Sequence, residues 1–161
     1  MNYDYLNLKR ARIVRLFLSL MIVLSTFTTE VKAQCLSAVW GQYPTSTFAP
    51  LCTGSPQTIT TCGYAGEYSK VSVTSGMAYT FRCSNTSYYI TIANNAGSVA
   101  YAYGVGGSSG ITWVATFTGS VRFYTHTSSS CGSAVTCISR SVSCATAGPC
   151  VNTTSYGSAT N

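Results

Sequence analysis

The sequence predicts an all-β protein, a jelly-roll-like sandwich of two antiparallel sheets held by disulfides. Three observations point there. Segments that alternate apolar and polar residues recur roughly every ten residues beyond residue 56, and clusters of Gly, Ser, Asn or Pro separate them. No stretch after residue 33 keeps the apolar period of an amphipathic helix. Eight cysteines all lie after residue 33. Short strands with one apolar face each cannot all be buried in a single open sheet, so two facing sheets are the economical arrangement, with a small closed barrel as the alternative.

Residues 1–33 stand apart from the fold. Lys9, Arg10, Arg12 and Arg15 form a basic segment, Leu16 to Thr28 an apolar one, and Val31-Lys32-Ala33 ends in a small residue suited to signal peptidase. The apolar stretch falls short of the roughly 20 residues that a membrane-spanning helix needs, so a cleaved export leader is expected, with no membrane span once it is removed. Lys32, Ala33 and Gln34 do not make Cys35 a lipidation site. The segment Leu36 to Pro50 holds Trp40, Tyr43 and Phe48 but little alternation. It reads as an arm pinned across the sandwich through Cys35 and Cys52.

The expected strands then follow in order. Gln57 to Thr61 is the first, and Tyr68 to Val73 places Val71 and Val73 on one face. Ser75-Gly76 turns the chain into Tyr79 to Arg82, where Tyr79 and Phe81 share a face. Tyr88 to Ala93 sets Tyr88, Ile90 and Ile92 in register, with Tyr89 pointing away. The turn Asn94-Asn95-Ala96-Gly97 leads to Val99 to Tyr103, and a Gly/Ser loop leads to Ile111 to Phe117, with Ile111, Trp113, Ala115 and Phe117 together. Val121 to His126 directs Val121 and Phe123 inward and Arg122, Tyr124 and His126 outward; Cys137 to Cys144 is the last strand. The module is thus bounded at residues 34–144. Residues 145–161, broken at Ala147-Gly148-Pro149, read as a linker or the start of a following module.

Charge and cysteine usage exclude several functions. After the leader the chain keeps Lys70, Arg82, Arg122 and Arg140 against one carboxylate, Glu67, and it has no basic cluster with which to displace counterions, so nucleic acid is not an expected partner. Cys35, Cys52, Cys62, Cys83, Cys131, Cys137, Cys144 and Cys150 lack the paired short spacing of a zinc or iron–sulfur site and read as disulfide candidates, and eight cysteines allow 105 pairings. No cofactor or metal is expected: calcium sites gather several carboxylate oxygens, and only one carboxylate is present.

The same scarcity argues against catalysis. His126 beside Ser128 to Ser130 lacks an aspartate to orient it, and Glu67 lacks the second carboxylate of a glycosidase. Glu67 is expected to pair with an arginine or cap a turn, without the sequence saying which arginine. The aromatic residues are the remaining functional signal. Tyr101, Tyr103, Arg122, Tyr124 and His126 form a candidate ligand-binding set, because flat rings with polar tips suit sugar or protein recognition, although tyrosines in β proteins are also common cross-strand and core residues.

The run Gly66-Glu67-Tyr68-Ser69, Val71-Ser72-Val73, Gly76, Tyr79-Thr80-Phe81, Tyr89-Ile90-Thr91-Ile92, Trp113 and Gly119-Ser120-Val121-Arg122-Phe123-Tyr124 resembles the cysteine-containing β-sandwich repeats of secreted and surface proteins of Bacteroidetes, which are similar to bacterial pre-peptidase C-terminal domains. The resemblance covers about residues 35 to 144. It implies export and a non-catalytic accessory, adhesion or spacer role within a longer polypeptide, with an extracellular glycan or surface protein as partner. The alternatives are a free-standing carbohydrate-binding module and an accessory domain of a secreted hydrolase. Some relatives carry acidic residues ahead of the strand at Tyr88 to Ala93; here Asn85-Thr86-Ser87 stands there instead.

Overall fold

Among the described residues, alternation along the chain is realised as nine strands. The computed structural model describes residues 34–106 and 109–146, with no helix among them. The strands are β1 (Gly41–Phe48), β2 (Gln57–Ala65), β3 (Glu67–Val73), β4 (Met77–Cys83), β5 (Tyr89–Asn94), β6 (Ala100–Val105), β7 (Ile111–Val114), β8 (Gly119–His126) and β9 (Ala134–Thr146). One sheet has the order β1-β3-β8-β5-β6 and the other β2-β9-β4-β7. Leaving β1 aside, the pairs β2 with β9, β3 with β8, β4 with β7 and β5 with β6 are nested, as in a long hairpin rolled up on itself, which is the jelly roll.

The inward residues are those that the alternation selects. Val71, Val73, Tyr79, Phe81, Tyr88, Ile90, Ile92, Ala115, Val121, Phe123, Ile138 and Val142 form one buried cluster, with Ile111, Trp113 and Phe117 packed against it. Phe81 and Phe123, from opposite sheets, meet at 5.2 Å between ring centroids. At the β6/β7 margin Tyr101 stacks on Trp113, centroids 5.2 Å apart and planes within 8°, and closes that side of the sandwich.

Two expectations are corrected. The segment Leu36 to Pro50 is not an irregular arm: Gly41–Phe48 is a strand and joins the edge of the first sheet parallel to β3, the one parallel pair among the described strands. Its alternation is weak because only Phe48 packs on the core, and Pro44, which cannot donate to a ladder, is tolerated at a sheet edge. The last strand continues past Cys144 to Thr146. The expected leader, Cys150 and residues 147–161 lie outside the described residues.

Among the described residues, three disulfides join distant segments. Cys35–Cys131 ties the segment before β1 to the β8–β9 connection, Cys52–Cys144 ties the β1–β2 connection to β9, and Cys62–Cys137 crosses from β2 to β9. The bridged residues are 96, 92 and 75 positions apart in sequence. Cys83 is buried in the core, its Sγ 3.3 Å from the Asn85 carbonyl oxygen. Restricting the unfolded chain over such loops contributes about 2–4 kcal/mol per bridge. Replacing Cys52 and Cys144 together by Ser is therefore expected to lower the unfolding free energy by about that amount, measured by denaturant titration at constant slope. A change under about 0.5 kcal/mol would mean that this bridge does not constrain the unfolded ensemble.

Candidate functional site

Two polar constellations stand out, one between the sheets and one on the outer face of the five-stranded sheet. The inner one centres on Arg140, which alternates inward on β9 between Ile138 and Val142 and has no exposed surface. Its Nη2 donates to Glu67 Oε2 across the sandwich. Nη1 donates to Ser69 Oγ at 2.7 Å and to the Tyr43 carbonyl oxygen at 3.2 Å. Ser69 Oγ donates to the same carbonyl, and Glu67 Oε2 accepts the Tyr64 backbone N–H at 2.8 Å. Glu67 thus does both things expected of it: it pairs with an arginine and it holds a turn.

The guanidinium lies where a side chain on residue 63 would be, since a Cβ added to Gly63 would collide with Arg140 Nη2 and Cζ. Burial lowers the pKa of Arg140, and the Glu67 carboxylate acts in the opposite direction. The only carboxylate after residue 33 is therefore committed to the interior of the fold.

On the outer face, the register lays out a grid. His126 of β8 stands opposite Tyr89 of β5, and Tyr124 stands opposite Thr91 on one side and Tyr68 of β3 on the other. On β6, Tyr103 is opposite Thr91 and Val105 opposite Tyr89. Of the candidate ligand-binding residues, Arg122, Tyr124, His126 and Tyr103 belong to this grid. Tyr101 does not: the register shifts between Ile92 and Ala93, and its ring packs on Trp113 of the other sheet and on Phe117 in the β7–β8 connection, since the strand expected to run to Phe117 ends at Val114.

Tyr124 and His126 point outward as the alternation requires, yet both have no exposed surface, which corrects the expectation of open rings. The two rings stack at 6.2 Å, and Tyr124 also packs on Tyr68 at 5.3 Å. The 94–98 turn folds over one end of this face. Gly97, at a φ of 74°, leaves no room for a Cβ against Tyr124 Oη and Arg122, while Asn95 O accepts from Arg122 Nε at 2.7 Å. Arg122 Nη1 also donates to Tyr124 Oη, and its Cζ lies 4.4 Å from the Tyr68 ring centre.

At the other end the chain before β1 covers His126. The ring Nε2 is 2.9 Å from Ser37 O. A carbonyl only accepts, so Nε2 carries the hydrogen and Nδ1 presents a lone pair. Ser128 and Ser130 hydrogen-bond to each other at 2.8 Å. Burial lowers the pKa of His126, and the Ser37 bond partly opposes it.

Tyr89 and Thr91 complete the face and were outside the expected set. Alternation puts Tyr89 outward, but nothing in the sequence distinguishes Thr91 from the many other threonines. Among the described residues, no group of three His, Cys, Asp or Glu is placed to hold a metal ion, and no helix is long and apolar enough to cross a membrane.

No protein-family model matches the chain, and no curated protein matches it. Among solved structures, the chain is similar to the crystal structure of Aeromonas hydrophila PliG, a periplasmic lysozyme inhibitor of g-type lysozyme, at 13% identity and a TM-score of 0.36, covering 62% of this chain and 96% of that one. A likeness of that size carries no inference about this chain.

The depressed pKa of His126 gives a pH test. The unfolded histidine titrates near 6.5 and the folded one below it, so between those two values the unfolded state binds the extra proton. The stability that the neutral ring allows is full above pH 6.5 and is lost as pH falls through that window. Unfolding free energy measured from pH 7.5 down to 5 is expected to fall more steeply in the parent than in a His126→Gln variant. Parallel curves would place the ring in solvent.

Proposed function

We propose that the chain is an exported, non-catalytic β-sandwich module that presents a surface to an extracellular partner, as an adhesion, spacer or accessory unit of a secreted or cell-surface bacterial protein. The observation that carries this reading is how the scarce reactive side chains are spent. Glu67 is bound by Arg140 and the Tyr64 N–H, and His126 is bound to Ser37 O beneath covering chain. General acid–base catalysis needs a charged partner to orient and activate the imidazole, and the one carboxylate side chain after residue 33 is held inside the sandwich by Arg140, away from His126.

Export is supported by the basic-then-apolar pattern of residues 1–33 and by three long-range disulfides, which persist in oxidising compartments. The accessory role follows the resemblance of residues 35 to 144 to non-catalytic repeats of secreted proteins.

The test is expression of the full chain in a bacterial host, followed by fractionation and intact mass measurement with and without reduction. The expected product is periplasmic or secreted, begins at Gln34, and has Cys35, Cys52, Cys62, Cys131, Cys137 and Cys144 protected from alkylation until reduced. A cytoplasmic product that retains residues 1–33 would contradict the reading.

A further inference from the structure

The outer face of the five-stranded sheet holds three buried polar atoms with no hydrogen-bond partner among the described residues: Tyr89 Oη, Thr91 Oγ1 and His126 Nδ1. Their residues are 4%, 0% and 0% exposed. They are not scattered. Tyr89 and His126 are direct cross-strand neighbours, and Thr91 is the next outward position on the same strand as Tyr89. Buried hydroxyls and imidazoles in folded proteins are almost always paired, because an unpaired one forfeits the hydrogen bonds it made in water. Three in one cell of a sheet therefore mark a place prepared for groups that the fold itself does not supply.

The chemistry of the cell defines what those groups are. Because Nε2–H goes to Ser37 O, His126 Nδ1 can only accept; the Tyr89 and Thr91 hydroxyls can donate or accept. The ligand must bring at least one donor and at least one group able to answer two hydroxyls. Charge is not on offer. Glu67 is inside the sandwich on Arg140, and the neighbouring cation Arg122 is already engaged by Asn95 O, Tyr124 Oη and the Tyr68 ring. The walls are aromatic: Tyr124 and Tyr103 stand on either side of Thr91, and Tyr103 lies against Tyr89 with centroids 6.3 Å apart.

A neutral molecule with an edge of hydroxyls and a flat C–H face fits this combination, and that is a sugar ring. We infer that the Tyr89–Thr91–His126 cell is a binding subsite for one neutral sugar residue of an extracellular glycan, flanked by Tyr103 and Tyr124. The inference rests on the reading of the chain as an exported module. Tyr103 is the way in. It sits on the edge strand β6, packs against Tyr89 and is 38% exposed, so it is the wall of the cell that solvent reaches and the ring placed to lie against the C–H face of the sugar.

The test uses two near-isosteric variants, Thr91→Val and Tyr89→Phe, which remove the hydroxyls and little else. Each is run with the full exported protein in native gels containing hydroxyethyl cellulose, xyloglucan, galactomannan or glycogen, and each is melted. The parent is expected to be retarded by at least one polysaccharide. Each variant is expected to lose about tenfold in affinity, as for one hydrogen bond, while melting at or above the parent temperature, because no partner within the fold is lost. A parent that is retarded by none of the four, or variants that bind like the parent, would overturn the subsite. Variants that melt several degrees lower would overturn it too, since the hydroxyls would then be serving the fold. An exported, disulfide-bonded parent without retardation refutes the sugar site alone, whereas cytoplasmic retention refutes the export reading and leaves the binding result to be judged by itself.

Discussion

An arginine without exposed surface, held between two sheets by a single carboxylate, is the interaction on which the rest of this architecture turns. Desolvating both charges costs several kcal/mol per ion, and their attraction offsets that only when the remaining donors are also satisfied. Here they nearly are. Four hydrogen bonds tie Arg140 to Glu67, Ser69 and Tyr43 and tie Ser69 to Tyr43, so one side chain of β9 fixes the position of β3 in the opposite sheet and of β1 at its edge. The absence of a side chain at Gly63 makes room for the guanidinium, and the β2–β9 register shifts on both sides of that position. Whatever such a pair contributes in net stability, it specifies one alignment of the layers, because any slip would leave a charge buried alone.

The same strand anchors the covalent framework. β9 pairs with both β2 and β4 and carries Cys137 and Cys144, so two of the three bridges among the described residues end on it. In a nested jelly roll the outermost partners β2 and β9 are far apart in sequence, and closing such contacts is costly in chain entropy. Cys62–Cys137 across that pair, and Cys52–Cys144 just ahead of β2, reduce the entropy that the unfolded chain has to lose. The third bridge, Cys35–Cys131, fastens the chain whose Ser37 carbonyl covers His126, which links the covalent framework to the outer face of the other sheet.

What was legible in the sequence was the inner face. Alternation at Val71/Val73, Tyr79/Phe81, Ile90/Ile92 and Val121/Phe123 identified core positions because burial on one side of a strand leaves a period of two. Strand β1 escaped because it is held mainly by an edge ladder and by Phe48, which leaves little pattern in side chains. The outward residues were assigned the correct side but not the correct exposure: alternation says which way Tyr124 and His126 point, not that the segment at Ser37 and the 94–98 turn fold back over them. Pairings were out of reach for a simpler reason. Nothing local in Glu67 or Cys62 records that Arg140 and Cys137 lie more than seventy residues away.

The most direct measurement of the central claim is a double-mutant cycle on the interior pair, with unfolding free energies for the parent, Glu67→Gln, Arg140→Met and the double variant. Each single change is expected to cost about 3–5 kcal/mol and the double variant distinctly less than their sum, because each single leaves the other group buried without its partner. Singles that cost under about 1 kcal/mol, or costs that simply add, would show that the two side chains are not coupled and that the layers are aligned by packing alone.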